Sequence, residues 1–213
     1  MQATSKRKSE PLVEADWIHA ARRILIEEGI KGLSLRRLAA ALGVTTGAFY
    51  WLFGNFDDLL DKLRQDWEEQ NNLHFSLVFE SPDLDSRQKY IEYLRILLDK
   101  SRYDPEYDGA IRDWAPFSPE TAATLQRVDD LRIRQLESMY QGFGNKGLAA
   151  RVHAELAYFH QIGYYLVGAS ESLEQRLEKL PFYAQLVCPD IIPLDSTIED
   201  LRALLVRNED LQT

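Results

Sequence analysis

Sulfur-containing residues are scarce in this 213-residue chain, which has one cysteine and two methionines. Cys188 has no second thiol with which to form an internal disulfide or a C-x-x-C metal or redox site, so we expect it to be a small buried side chain. No segment approaches the roughly 18 uninterrupted apolar residues that a membrane span requires. The start of the chain has a basic cluster but no apolar run followed by a cleavage site, which argues against a secretory signal. These absences predict a cytoplasmic protein with no membrane partner.

Alternation of apolar and polar residues, the pattern of a half-buried strand, is not sustained anywhere, whereas helical spacing is found throughout. The composition, 45% hydrophobic and 28% charged, is that of a folded soluble chain. The four histidines form no H-E-x-x-H or comparable cluster. No nucleophile, base and orienting residue stand together in a recognisable motif. We therefore predict an all-α fold with no metal, no cofactor and no catalytic residues.

Positive charge is also in short supply, since the formal net charge is -9. Taken alone, this total argues against a nucleic-acid partner, whose phosphates need a cationic surface. The charges are unevenly distributed, however. Residues 1–64 contain 10 Lys+Arg and 8 Asp+Glu, so the acidic excess lies entirely in the remainder. This asymmetry indicates that one part of the chain meets a polyanion and the other does not.

Four helices are predicted near the amino terminus. The first covers residues 13–28 and ends at Gly29, and the second begins after Ser34 as its cap and ends at Gly43. A short third helix covers residues 45–53. A fourth helix begins after Asn55, which is expected to form a reciprocal cap with Asp58, three residues further along the chain.

Two short helices joined by a tight turn, with a longer helix after them, are typical of a helix-turn-helix unit. The second of these short helices would present small, hydrogen-bonding and aromatic side chains outward, where a recognition helix touches base edges and phosphates. These outward residues are Thr45, Thr46, Gly47, Ala48, Tyr50 and Trp51. Spacing alone leaves open a structural helical hairpin that binds nothing.

A more specific signal than apolar spacing is found in the stretch IKGLSLRRLAAALGVTTGAFYWLFGNFDDLLDKL. Its run I-x-G-L-[ST]-x-R-[RK]-L-A-x-x-L-G-V and its Tyr-Trp pair resemble the DNA-binding head of the TetR family of bacterial transcriptional regulators. The resemblance covers roughly residues 11–64. It implies a three-helix head that binds double-stranded operator DNA, and a larger helical body that binds a small-molecule effector and forms a homodimer.

The resemblance also assigns roles to single positions. Arg36 matches a position that can read a base, and Ser34 and Arg37 match positions near phosphates. The family often has a lysine at the start of the fourth helix, where this chain has Phe56. Backbone N–H groups near Asn55 are expected to supply part of the missing phosphate contact. Another part is expected from a flexible amino-terminal arm containing Lys6, Arg7 and Lys8, and a solvated tail that contacts no DNA is the alternative for these residues.

We predict three regions in the chain: an arm over residues 1–9, a DNA-binding domain over residues 10–64, and an effector-binding and dimerisation domain over residues 65–213. The last region should be helical throughout. Its expected helices comprise one ending before Pro105, then residues 106–114, 120–143 and 147–173, and a carboxy-terminal helix behind a Ser196/Glu199 capping box. Residues 182–188 are expected to add at most one helical turn.

Aromatic residues are dense between residues 90 and 165, as in a mostly apolar ligand site with a few polar groups. The expected lining residues fall on helices that surround the ligand in the resembled family. They are Tyr93, Leu97, Trp114, Phe117, Met139, Phe159, His160 and Tyr164. His160 could equally be a core histidine with no ligand.

A homodimer is expected because recognition helices must lie about one helical turn of DNA, roughly 34 Å, apart. The predicted interface joins the helix containing Val152, Leu156, Phe159 and Gly163 to the helix with Leu201, Leu204 and Leu205. The favoured function is a repressor that leaves a palindromic operator when a ligand binds. A constitutive DNA-binding protein and an all-α enzyme are the alternatives.

Overall fold

The computed structural model describes residues 11–168, 171–188 and 191–206, and this part of the chain is helical with no strand. It forms two compact units, Met1–Asp66 and Trp67–Thr213. The sequence analysis set its boundary after residue 64. The proposed arm residues Lys6, Arg7 and Lys8 lie outside the described residues.

The first unit contains α1 (Glu14–Gly32), α2 (Leu35–Leu42), a 3-10 helix (Thr46–Trp51) and the start of α3 (Phe56–Phe79). Gly29 has the predicted positive φ, 69°, but it interrupts α1 rather than ending it, since the helix resumes and ends at Gly32. The core is aromatic and aliphatic. Its fully buried side chains include Trp17, Ile24, Leu38, Phe49, Leu59 and Leu63.

The turn between α2 and the 3-10 helix is closed by backbone hydrogen bonds. Gly43 has φ 68° and its N–H donates to the carbonyls of Ala39 and Ala40, while Val44 N donates to Ala39 O at 3.0 Å. This is the left-handed helix ending that favours glycine. Ser34 caps α2 by accepting from the Arg37 N–H at 3.3 Å. Both caps confirm the predicted bounds of α2.

The third helix is shorter and tighter than predicted. Only residues Thr46–Trp51 are helical, and they form a 3-10 helix in which Leu52 N donates to Phe49 O at 3.0 Å. Two adjacent threonines and Gly47 have low α-helix propensity, which accounts for the difference. Phe49 holds the segment in place by packing edge-on against Trp17, with ring centroids 5.3 Å apart.

The second unit contains the rest of α3 with α4 (Ser86–Leu98), α5 (Pro105–Trp114), α6 (Pro119–Gly142), α7 (Leu148–Leu166), α8 (Leu173–Val187) and α9 (Ile198–Leu205). A short 3-10 turn, Ala115–Phe117, joins α5 to α6. No helix of the described residues is long and apolar enough to cross a bilayer.

Two predictions about the end of the chain were wrong. The helix expected to run to residue 173 ends at Leu166, because Gly168 adopts φ 64°. Residues 173–187 then form a separate 15-residue helix, α8, that begins at a capping box of Ser172 and Gln175. Pro181 lies inside α8, where it normally interrupts a helix. Leu177 and Ala184, both 0% exposed, anchor α8 on either side of that proline.

The cap of α9 is displaced by one residue from the predicted position. Thr197 accepts from Asp200 N at 3.1 Å, so the box is Thr197/Asp200 rather than Ser196/Glu199. Both pairs satisfy the same spacing rule, and the register is decided by packing. Leu201 and Leu205 are each 2% exposed within the core of the second unit. They are therefore unavailable for the dimer interface predicted for this helix.

Candidate nucleic-acid interface and ligand cavity

The predicted recognition surface is exposed on the first unit. The side chains of Thr45 and Thr46 reach solvent, as does the backbone at Gly47, while Ala48 is half-buried. Tyr50 is 62% exposed and Trp51 is 88% exposed. Adjacent exposed aromatic side chains form an apolar patch of the kind found at binding surfaces. Here Tyr50 and Trp51 lie beside the hydroxyl groups of Thr45 and Thr46 on one short segment. The surface suits contact with base edges, methyl groups and phosphates.

Two arginines at the start of α2 differ in their surroundings. Arg36 is exposed. Arg37 donates to Glu28 Oε1 through Nε at 2.9 Å and Nη2 at 2.6 Å, and this hydrogen bond raises the pKa of Arg37. The ion pair ties α2 to α1 within the first unit. Arg37 therefore reaches a phosphate only by sharing or leaving Glu28, whereas Arg36 has no such contact among the described residues.

The backbone N–H groups of Gly54 and Asn55, just before α3, are already bonded, contrary to the expectation that groups near Asn55 await a phosphate. Those of Gly54 and Asn55 both donate to Asp58 Oδ2, at 2.9 and 3.1 Å. The Asn55 side chain in turn accepts from Asp58 N at 3.0 Å, which confirms the predicted reciprocal cap. A carboxylate thus occupies the place where a phosphate was expected, because the capping residue satisfies the helix end within the chain.

The second unit contains a cavity of about 100 Å³ between α4, α7 and α8. A single water needs only roughly 10–15 Å³, so the space is large enough for a small organic molecule or several waters. Aromatic and aliphatic side chains form most of its wall. The lining residues are Tyr90, Tyr93, Leu94, Leu97, Leu98, Ala157, His160, Gln161, Tyr164, Tyr165, Glu171, Arg176, Leu177, Leu180 and Tyr183.

Half of the predicted lining residues are found at this cavity and half are not. Those present are Tyr93, Leu97, His160 and Tyr164. Trp114 and Met139 are instead core residues, 3% and 2% exposed. Phe117 and Phe159 point the other way and are 69% and 60% exposed. Trp114, Phe117 and Met139 lie on α5, the 3-10 turn and α6, none of which lines the cavity, whereas Phe159 lies on the exposed face of α7.

Two polar contacts in the cavity wall are buried and short. Tyr93 donates its hydroxyl to Gln161 Oε1 at 2.7 Å, and burial raises the pKa of Tyr93 far above its usual range. Tyr165 donates to the carbonyl of Leu97 at 2.5 Å. Desolvation disfavours the phenolate form, so both tyrosines stay neutral. They offer hydrogen bonds but no charge to a ligand.

A charged network lies elsewhere in the second unit and joins α5 to α6 and α7. Arg112 contacts Asp108 Oδ2 at 2.8 Å and Asp129 Oδ1 at 2.8 Å. Tyr158 donates to Asp129 Oδ1 at 2.6 Å. Asp108 also accepts from Asn71 Nδ2 at 3.0 Å. Burial raises the pKa of Asp108, against the opposing effect of Arg112.

Comparison with known proteins bears on the first unit most directly. The model of the family described as bacterial regulatory proteins, tetR family, matches residues 18–63. A segment of 57 residues is 44% identical to the tetracycline repressor protein class A from transposon 1721 of Escherichia coli. Residues 18–63 of this chain are therefore similar to regulators of the tetR family. The aligned segment covers 27% of this chain and 26% of the repressor, and thus about a quarter of each.

Two solved structures share the fold over nearly the whole chain. A transcriptional regulator from Rhodococcus sp. Rha1 is 18% identical, with a TM-score of 0.60, and the alignment covers 94% of this chain and 97% of that one. A TetR-family transcriptional regulator from Rhodococcus sp. is 15% identical, with a TM-score of 0.58, and the alignment covers 90% and 94%. At these identities the likeness concerns the fold alone, including the helical second unit.

Sequence reasoning missed two charged residues of the cavity, Glu171 and Arg176. Both belong to the segment around the start of α8, which was not predicted as a separate helix. The S-x-x-Q spacing of Ser172 and Gln175 was the signal that could have revealed it.

Proposed function

We propose that this chain is a ligand-responsive transcriptional repressor, which leaves a palindromic operator when a small, mostly apolar molecule binds the second unit. The observation that carries the proposal is the exposed surface of Thr45, Thr46, Tyr50 and Trp51, which lies within the TetR-family match at residues 18–63. Double-stranded DNA is the partner that suits a short polar and aromatic helix of this kind. Residues 10–64 bind DNA in this proposal, and residues 65–213 bind the effector and the second subunit.

Dimerisation is assigned to α7 and α8. Along α7 an apolar stripe is exposed, with Val152 at 51%, Leu156 at 47% and Phe159 at 60%. On α8, Phe182 is 63% and Leu186 is 70% exposed. Two such helices from each of two copies would form a four-helix bundle with a buried apolar seam.

Gly163 on α7 supports the same interface. A Cβ atom built at this glycine meets nothing within 4 Å in the chain itself. Packing within one subunit therefore does not require glycine here, although the residue costs helix stability. Close approach of a second subunit would explain it.

The mechanism follows from two arrangements of the dimer that differ in the spacing of the DNA-binding domains. A ligand that binds one arrangement more tightly shifts the population toward it. A coupling of about 1 to 3 kcal/mol changes DNA affinity by about 5- to 150-fold. No large structural rearrangement is needed for an effect of this size.

The test is DNA binding by the purified full chain. Fluorescence anisotropy with the DNA upstream of its own gene, against a scrambled duplex of equal length, should give a specific complex. Trp51→Ala should weaken that complex about tenfold or more, since it removes a contact on the recognition surface. Phe117→Ala, which removes an exposed aromatic residue from the second unit, serves as the matched control. Equal affinity for the two duplexes would contradict the proposal.

The arm is tested separately by deleting residues 1–9. Each phosphate neutralised contributes about 0.9 to the slope of log affinity against log salt, so loss of Lys6, Arg7 and Lys8 should reduce the slope by up to about 2.7. An unchanged affinity and an unchanged slope would rule out the arm.

A further inference from the structure

The charged groups of the cavity differ in whether they already have a partner of opposite sign. Glu171 forms an ion pair with Lys179 and accepts from the Tyr164 hydroxyl at 3.2 Å. The hydrogen bond from Lys179 is the main reason that the pKa of Glu171 lies below its usual range. The carboxylate of the cavity is therefore compensated within the chain.

Arg176 has no ion-pair partner of this kind among the described residues, although its charge contributes to the lowered pKa of Glu171. Its Nη2 donates to the carbonyl of Leu97 at 3.3 Å and to the hydroxyl of Tyr165 at 3.1 Å, and both acceptors are neutral. Among the described residues no carboxylate forms an ion pair with Arg176, and its Nε and Nη1 donate to none of them. A guanidinium has five N–H donors in a fork that matches a carboxylate, so this side chain retains the capacity to bind one.

The rings around Arg176 would accept the remainder of such a ligand. The guanidinium carbon lies 5.1 Å from the ring centroid of Tyr164 and 5.7 Å from that of Tyr165. The rings of His160 and Tyr183 pack at an interplanar angle of 49° with centroids 4.5 Å apart, and both residues also line the cavity. Aromatic walls favour a flat aromatic guest over a flexible chain, because ring pairs add to the energy of area burial.

We propose that the ligand of this cavity is a small aromatic acid with one negative charge, whose carboxylate is bound by Arg176 and whose ring packs among the tyrosines. This assignment rests on the proposed function, since it names the chemical class of the effector. A cationic aromatic ligand is the opposite assignment, and it would have to displace Lys179 from Glu171. An uncharged ligand without an acceptor would leave the Nε and Nη1 donors of Arg176 without a hydrogen bond from the described residues.

The test is isothermal titration of the purified full chain with three probes of nearly the same shape: benzoate, benzamide and benzylammonium. Benzoate should bind at least about tenfold more tightly than benzamide, the difference expected from a hydrogen-bonded charge pair. Benzylammonium should bind most weakly. Hexanoate should bind less tightly than benzoate, and equal affinity for the two acids would overturn the aromatic part of the proposal.

Arg176→Gln should reduce the ratio of benzoate to benzamide affinity to about twofold or less, and Arg176→Lys should restore part of it. Arg202→Gln is the matched control, since Arg202 pairs with Glu174 and does not line the cavity. Arg176 also connects α8 to the end of α4, so circular dichroism must show that each variant is folded. A purely structural role would weaken all probes together and leave the ratio unchanged, which would overturn the proposal.

The probe series on the unaltered chain remains decisive even where a variant fails to fold. Absence of saturable benzoate binding, or tighter binding of benzylammonium, overturns the assignment. These titrations contain no DNA and so do not depend on the regulatory function. Benzoate binding through Arg176 without any effect on the DNA complex would support the ligand class and refute ligand-driven release. A specific DNA complex without benzoate binding would refute the ligand class alone.

Discussion

The two units differ in where they keep their polar groups. Among the described residues of the first unit, Arg64 is the one buried charged or polar side chain, and the remaining buried side chains are apolar. The second unit buries Asp108, Arg132, Gln135 and Gln161. The proposed specificity of the first unit therefore lies on its surface, whereas that of the second lies in its interior. Interior polar groups are costly to disturb, which makes the second unit the better place for a ligand-dependent change.

The charge asymmetry found in the sequence can be assigned to particular residues once the structure is considered. Residues 11–66 contain 7 Lys+Arg and 8 Asp+Glu, so the positive excess of the amino-terminal region comes from residues 1–10. Several of the remaining cations are paired within the first unit: Arg37 with Glu28, Lys62 with Glu14, and Arg64 with Asp61. A shallow salt dependence of DNA binding follows, with few phosphates neutralised by the described residues.

The largest expected effect comes from breaking the interior network of the second unit. Asp108→Ala removes a 3% exposed carboxylate that contacts Arg112 and Asn71. Loss of one partner of a buried pair costs about 3–5 kcal/mol, and urea denaturation should show a fall of that size in the free energy of unfolding. Asp113→Ala, on the same helix but exposed, should stay within about 0.5 kcal/mol of the unaltered chain. Similar losses in the two variants would remove the contrast between the units.

A second prediction concerns the exposed apolar surface, which in the second unit is assigned to subunit contact. Leu156→Glu would bring a carboxylate into the seam of the proposed four-helix bundle, at a cost of several kcal/mol from desolvation and like charges. Sedimentation should then find monomer at concentrations where the unaltered chain is a dimer. Leu73→Glu, at a 54% exposed leucine of α3, should leave the dimer intact. A monomeric unaltered chain, or a dimer that survives Leu156→Glu, would contradict the assignment.

The third prediction concerns the surface specificity of the first unit. Arg36→Ala should reduce affinity for the specific duplex by about tenfold or more, since a base contact from arginine is worth about 1–3 kcal/mol. The free energy of unfolding should not change, because the Arg36 side chain is exposed. Arg23→Ala, another exposed arginine of the first unit, is the control and should lower specific and scrambled affinities alike, if at all. An equal effect of the two substitutions would show that Arg36 supplies charge and reads no base.

The helix ends of the first unit could be predicted because they depend on residues that are close together in the sequence. The caps at Ser34, Gly43 and Asn55 each depend on residues within four positions, so the sequence contains the whole interaction. The 3-10 form of Thr46–Trp51 was not predicted, because the low propensity of the threonines and Gly47 disfavours an α-helix without specifying the form that replaces it, which also depends on how Phe49 packs on Trp17.

The second unit depends on contacts between distant parts of the chain, and its prediction was correspondingly poorer. A proline inside a helix normally interrupts it, yet α8 continues through Pro181 because Leu177 and Ala184 are buried on both sides. The wall position of Arg176 requires α8 to pack beside the end of α4, a juxtaposition that no spacing pattern contains. The spacing of Leu201 and Leu205 fits a dimer interface as well as it fits the core, since amphipathic spacing identifies an apolar helix face but not the element that covers this face.

The smallest expected effect is a pH dependence of stability in the second unit. Burial lowers the pKa of His160, which packs against Tyr183. Because the unfolded chain binds the proton more readily, the free energy of unfolding should fall as the pH drops below the ordinary histidine pKa of about 6.5. His160→Gln should make that fall shallower in urea titrations at a series of pH values. The pKa of His74 is lowered by burial as well, so His74→Gln should act in the same direction and the two substitutions should add. An unchanged pH profile in the double variant would mean that these two histidines are not the source of the dependence, and that other groups of the chain respond to pH.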